Sequence, residues 1–140
     1  MDDILKIANG VMKNFNPETD KVRDFTNLPD GEYTGLIEEV GSRISEAKGT
    51  PSVFFKVGIT EGDSTGRFLW ANYYFVGKMM EINIQKMISI AHQLGFDYNE
   101  IDFTDNASIA KSLEAVVGEE VTVVAKTSKD DFQNVEIVLA

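Results

Sequence analysis

The chain has 140 residues, which favours one compact domain, and at 43% hydrophobic content it can form a core without cross-links. It contains no cysteine, which excludes disulfides, thiolate nucleophiles and cysteine-based zinc sites. Its formal net charge of −10 argues against nucleic-acid binding by the chain as a whole, because phosphate contacts need local Lys and Arg.

The start of the chain predicts an N-terminal arm followed by one folded domain. Apolar residues at helical spacing within residues 2–15 predict a short helix, and the polar segment 16–27 is expected to be irregular. We therefore divide the chain into an N-terminal helix or arm, 1–27, and one domain, 28–140. The apolar side of the arm could pack against a second copy, so a homodimer is one expectation.

Two strands are predicted next. The Pro-Asp-Gly turn in "LPDGEY" should introduce a first strand at 32–39, which can continue toward Ile44. Gly41 lies inside that extension, where a glycine often marks a bulge or a bend. A second strand is predicted at 51–60, since its residues alternate between apolar and mixed positions.

The rest of the chain predicts three more strands and two helices. In order these are a third strand at 67–76, a helix at about 80–94, a short helix at 108–117 and strands at 120–126 and 132–139. Five short strands with a helix between the third and fourth are typical of the oligonucleotide-binding (OB) fold. We therefore predict an all-β, five-stranded OB-fold-like barrel with one main helix and a short second helix.

The stretch "GRFLWANYYFVGK", residues 66–78, is unusually rich in aromatic residues. It contains five rings within eight positions: Phe68, Trp70, Tyr73, Tyr74 and Phe75. In the arrangement that we prefer, the barrel interior takes Leu69, Ala71 and Phe75. The outer binding face then takes an amphipathic row: Trp70, Asn72 and Tyr74. In the alternative arrangement, Trp70 and Phe68 belong to the core.

The second strand offers a ring and a cation on the same predicted outer face. Its core set is expected to be Val53, Phe55, Val57 and Ile59. Phe54 and Lys56 then point the other way, although Phe54 could also lie beneath a loop or helix. In an OB fold the second and third strands supply the ligand face, and a nucleic-acid strand bound there would need flat rings for stacking and basic groups for its backbone. Both residues are therefore candidates for contact with such a ligand.

Basic residues around these strands are the candidate phosphate contacts. Residues 33–78 carry five basic and five acidic residues, so this segment is neutral and the whole −10 lies elsewhere. The candidates are Arg43, Lys48, Arg67 and Lys78. The last hairpin adds three further candidates: Lys126, Lys129 and Phe132. We rank it lower, because Asp130 and Asp131 would repel phosphate.

Three stretches together resemble small phage-encoded single-stranded DNA-binding proteins of replication and recombination modules. They are "FTNLPDGEYTGLIEEV", "TPSVFFKVGITEGDSTGRFLWANYYF", and "MISIAHQLGFD" followed later by "VVGEEVTVVAKTS". The resemblance implies sequence-tolerant binding of single-stranded DNA, but it does not itself name contact residues. The chain ends on "VEIVLA" instead of a glycine-rich acidic tail, so tail-mediated recruitment of partners is not expected.

No sequence motif indicates catalysis, a cofactor or a metal. Phosphate-binding and nucleophile-elbow motifs are absent, and the only histidine, His92, is expected to be half-buried in a helix. An acidic loop, 97–105, lacks the calcium-binding pattern and is expected to be solvated. No apolar stretch approaches the roughly 18 residues of a membrane span, and the start lacks signal-peptide features. We expect a cytoplasmic protein without membrane contact.

Three functions remain open at this stage. The first is sequence-tolerant binding of single-stranded DNA in phage replication or recombination, in the host cytoplasm. The second is an OB-fold accessory factor that binds replication or recombination proteins through the aromatic row. The third is an acidic mimic of DNA that inhibits a DNA-binding enzyme, which the net charge of −10 favours. None of the three is an enzyme.

Overall fold

The structure is a computed structural model, which describes residues 2–14, 16, 18 and 28–139. The described helices and strands, in chain order, are α1 (Asp2–Asn14), β1 (Gly31–Ile44), β2 (Pro51–Ile59), β3 (Phe68–Tyr74), α2 (Gly77–Gln93), α3 (Asn106–Leu113), β4 (Glu120–Thr127) and β5 (Gln133–Ile137). Short 3-10 turns occupy Tyr98–Glu100 and Glu114–Val116. The predicted five strands, the helix between the third and fourth strands, and the short second helix are confirmed.

The five strands form one antiparallel sheet in the order β3-β2-β1-β4-β5. The long strand β1 is at its centre, because its first residues pair with β4 and its later residues with β2. The register with β2 shifts between Ile37 and Glu39, which marks a bulge at Glu38. A bulge at Gly41 is therefore not observed, because the register shift lies three residues earlier. Gly41 stays in register opposite Phe54.

The sheet is open, so the predicted closed barrel is not observed. Its two edge strands, β3 and β5, approach each other, but no ladder of backbone hydrogen bonds joins them in the part of the chain that the structure describes. They are linked instead through one side chain, since the Ile137 N–H donates to the Tyr73 hydroxyl oxygen at 2.9 Å. Burial raises the pKa of the Tyr73 phenol, which therefore stays protonated.

The apolar residues of the strands alternate as predicted. The inward set of β2 is fully or almost fully buried: Val53, Phe55, Val57 and Ile59. The inward set of β3 is also buried: Leu69, Ala71 and Tyr73. The Phe55 and Tyr73 rings meet edge to face, with centroids 5.8 Å apart and planes at 88°. This packing commits one face of β2 and β3 to the core. The other face is exposed along β3, whereas on β2 it is mostly covered and only Lys56 is partly exposed.

Helix α2 lies across the gap between the sheet edges. The Asn83 side-chain amide, buried in the helix, donates to the Tyr74 carbonyl oxygen at 2.6 Å. From the same helix, Lys86 forms an ion pair with Glu136 of β5. The helix is therefore attached to both edge strands and forms the floor between them.

The N-terminal helix α1 is amphipathic, and its apolar side chains are exposed: Ile4, Leu5, Ile7, Val11 and Met12. Apart from residues 16 and 18, the segment predicted to be irregular, 16–27, lies outside the described residues. Among the helices that the structure describes, none has the length and apolar character needed to cross a lipid bilayer.

Candidate nucleic-acid interface

Three aromatic rings lie exposed on the outer side of β3. The exposed fractions are 37% for Phe68, 38% for Trp70 and 43% for Tyr74. The strand alternates strictly, so these rings share one face, while their neighbours along the strand are buried. The preferred arrangement of the sequence analysis is therefore confirmed, with Trp70 and Tyr74 outside. We call the surface formed by these three exposed rings and the half-buried Lys56 of β2 the ring face.

Lys56 lies at the Phe68 and Trp70 end of the ring face. It is opposite Trp70 in the register between β2 and β3. Its Nζ is 4.3 Å from the Phe68 ring centroid and 5.8 Å from that of Trp70. These distances are within the range of cation–π attraction. Lys56 forms no ion pair with another described residue, so its charge can also meet a phosphate.

Phe54 lies on the predicted face but is not available for stacking. Only 7% of it is exposed, and its ring lies over Gly41, where an added methyl group would overlap the ring. The Arg43 guanidinium covers the ring, 4.5 Å from the centroid. The prediction of Phe54 as an exposed base-stacking ring is therefore wrong, because the missing side chain at Gly41 leaves a depression that the ring fills. Phe54 instead contacts Arg43, which in the sheet register lies across Ser52 of β2 from Tyr74.

The remaining predicted cations surround the ring face without lying on it. Arg67 directly precedes β3, and Lys78 lies in the first turn of α2, so the two bracket the aromatic strand. Lys48 is exposed in the turn between β1 and β2. The structure therefore brings Lys56 into contact with the rings and Arg43 into contact with Phe54.

A cleft of about 360 Å³ opens between β3 and β5, next to the ring face. One wall is formed by β3 residues: Trp70, Asn72 and Tyr74. Met79 and Asn83 of α2 form its floor, and Phe132 with residues 133–136 forms the other wall. Phe132 is 61% exposed. The hairpin that ranks lowest among the predicted contacts, because of its aspartates, thus supplies one wall of the cleft, and Phe132 is the residue of its sequence that pointed to this role.

Asp30 fixes the position of the last hairpin relative to β1. Its carboxylate accepts hydrogen bonds from the Thr127 backbone N–H at 2.9 Å and the Thr127 hydroxyl at 2.8 Å. The Gln133 amide also donates to it, at 3.2 Å. These hydrogen bonds lower the pKa of the Asp30 carboxyl, and the bond from the Thr127 backbone N–H has the largest effect. The chain bends at Asp30, within the predicted Pro-Asp-Gly turn, but no sequence pattern indicates this long-range contact.

The acidic loop stabilises its own turns. Asp97 accepts from the Asn99 N–H at 3.0 Å, and Asp105 caps α3 by accepting from the Ser108 N–H at 2.8 Å. The Asp102 carboxyl has a lowered pKa, because the Thr104 hydroxyl and N–H both donate to it. These carboxylates act as local caps.

His92 is exposed, contrary to the prediction that it is half-buried.

Residues 15–138 match the model of the family DUF669, described as a protein of unknown function. The chain belongs to this family. No curated protein matches the chain. The DUF669 match includes all five strands, and therefore the ring face and the cleft, whereas α1 precedes it.

Proposed function

We propose that this protein binds single-stranded DNA, with little dependence on sequence, in phage DNA replication or recombination. The observation that carries the proposal is the ring face: three exposed rings on one strand with the ammonium group of Lys56 among them. Base–aromatic stacking contributes about 1–3 kcal/mol per base and tolerates any base, since every base has a π-face.

The strand order supports an OB-like architecture for this function. In an OB fold the first strand pairs with both the second and the fourth, and the ligand lies on the second and third strands. Here β1 pairs with both β2 and β4, and the ring face is formed by β2 and β3. We propose that the open sheet is a partly open OB barrel, in which Tyr73 bridges the unpaired edges.

The cations supply the phosphate contacts in this proposal. Lys56 lies at the Phe68 and Trp70 end of the ring face, and Arg43 lies across Ser52 of β2 from Tyr74. Arg67 and Lys78 lie at the two ends of β3, so a strand that crosses the rings would meet positive charge at either side. This arrangement reconciles DNA binding with a net charge of −10, because the segment 33–78 is neutral.

A salt-titrated binding assay tests the proposal. Trp70 is the only tryptophan, so its fluorescence reports directly on the ring face. We expect single-stranded oligonucleotides to quench this fluorescence, to bind more tightly than duplexes of the same sequence, and to lose affinity as salt rises. Absence of binding to single strands at low salt would refute the proposal.

A protein-interaction module is the second candidate. It is favoured by the exposure of three large rings around a single contacting cation, since aromatic residues are also enriched at protein interfaces. The same assay separates the two candidates. A protein-binding ring face would give neither quenching of Trp70 by oligonucleotides nor a salt-dependent affinity for them.

A further inference from the structure

The cleft between β3 and β5 is continuous with the ring face. Trp70 and Tyr74 belong to both, because each ring is exposed on the outer side of β3 and also lines the cleft wall. A strand stacked on these rings therefore passes the mouth of the cleft. The volume of the cleft, about 360 Å³, lies within the range of small-ligand sites, about 300–1,000 Å³.

The walls of the cleft carry amide groups that are free to bind a ligand. Asn72 on β3 and Asn134 on β5 face it from opposite sides. Within the part of the chain that the structure describes, neither side chain takes part in a hydrogen bond. Each amide offers both a donor and an acceptor, which is the combination that reads the polar edge of a nucleobase.

The charge of the cleft favours a base over a phosphate. Glu136 lines the cleft, and its carboxylate forms an ion pair with Lys86 of α2. The positive charge of Lys86 is therefore already paired. No lysine or arginine is among the described residues that line the cleft, so a phosphate entering it would meet this carboxylate with no basic side chain on the cleft walls. A carboxylate accepts hydrogen bonds from an exocyclic amino group, as on cytosine or adenine, and disfavours the carbonyl oxygen that thymine or uracil presents there.

We propose that the cleft receives one nucleobase of the bound strand and prefers cytosine or adenine, which carry an amino group at C4 or C6, over thymine or uracil, which carry a carbonyl oxygen at C4. The inference rests on the proposed single-strand binding and adds one selective position to it. Trp70 and Tyr74 hold the strand at the mouth of the cleft, Asn72 and Asn134 contact the polar edge of the inserted base, and Glu136 accepts from its amino group.

Oligo-deoxycytidine and oligo-deoxyuridine of equal length provide the sharpest comparison, because the two bases differ at the 4-amino group and the adjacent ring nitrogen. Binding is measured by anisotropy of an end label at slightly alkaline pH. We expect oligo-deoxycytidine to bind at least about fivefold more tightly, the lower end of what one good bidentate base contact gives. In Asn134→Ala and in Glu136→Gln the ratio should fall toward one.

Gln85→Ala is the matched control, since Gln85 is an exposed amide of α2 that does not line the cleft, and its ratio should equal that of the wild type. Equal affinity of the wild type for both oligonucleotides would overturn the cleft proposal and leave single-strand binding intact. A preference that persists in both cleft variants would also overturn it. Failure to bind either oligonucleotide would refute single-strand binding itself, and the cleft proposal with it.

Discussion

Truncation of Trp70 tests the ring face most directly. Trp70 is 38% exposed on the outer side of β3, and its neighbours in sequence, Leu69 and Ala71, supply the core contacts of that part of the strand. Most of the Trp70 side chain is nevertheless covered, so Trp70→Ala should lower the free energy of unfolding by about 1–2 kcal/mol, which is less than truncation of a fully buried core ring. Loss of one stacked base costs about 1–3 kcal/mol, which corresponds to roughly 5- to 150-fold weaker binding.

The assay is anisotropy of a labelled single-stranded oligonucleotide, because the variant lacks the only tryptophan. Phe103→Ala is the matched control, since Phe103 is 40% exposed but lies in the loop before α3, outside the ring face. Trp70→Phe should retain most of the affinity, because phenylalanine keeps a stacking ring. If Trp70→Ala bound as tightly as Phe103→Ala while both remained folded, stacking on the ring face would be refuted.

Three further predictions concern stability and assembly. The lowered pKa of Asp30 in the folded protein adds stability at pH values above its ordinary pKa of 3.8, and this stability is lost as pH falls through the folded-state pKa. Asp30→Asn removes this carboxyl, so the free energy of unfolding should vary less with pH in the acid range. Gly35→Ala should destabilise the chain by about 1–3 kcal/mol in urea unfolding, because its added methyl would overlap the carbonyl oxygen of Gly58. If the exposed apolar side of α1 pairs with a second copy, light scattering should detect a dimer that Val11→Glu weakens and Lys6→Glu, on the polar side, does not.

Each of these predictions has a contradicting result. Parallel pH profiles for the wild type and Asp30→Asn would show that the carboxylate does not link β1 to the hairpin. Gly10→Ala is the control for Gly35→Ala, since no atom lies within 4 Å of its added methyl. Equal stabilities of these two variants would refute the steric argument. A monomer at all concentrations would refute pairing through α1.

Local pattern was sufficient to predict the core set of β2 and the burial of Leu69 and Ala71 on β3, but it left Tyr73 and Phe68 unassigned. A strand repeats every two residues, and the apolar residues of β2 keep that period from Val53 to Ile59. The same rule placed Trp70 and Tyr74 outside. The helix and strand order also followed from period and turn residues alone, because each element is defined by its own short segment.

Contacts between distant segments could not be predicted in the same way. The burial of Phe54 depends on Gly41, whose lack of a side chain matters only once β1 and β2 are in register. The cleft combines β3, α2 and the last hairpin, and the partners of Asp30 lie about a hundred residues later in the chain. The sequence of a strand predicts on which face each side chain lies. It does not predict whether residues of another segment cover that side chain or leave a cleft beside it.

The salt dependence of binding can separate the two contributions to the ring face. For single strands the slope of log K against log salt is about −0.7 per phosphate neutralised. Two cations, Arg43 and Lys56, would give about −1.4, and all five predicted cations would give about −3.5. Lys56→Gln should make the slope shallower by about 0.7, because one phosphate contact is lost.

Trp70→Ala should instead weaken binding equally at every salt concentration, because stacking releases no counterions. The two variants thus change different parameters of the same titration, the slope and the intercept. If Lys56→Gln left the slope unchanged, the Lys56 ammonium group would contact only the rings of Phe68 and Trp70 and no phosphate. The phosphate contacts would then be limited to Arg43 and the surrounding cations.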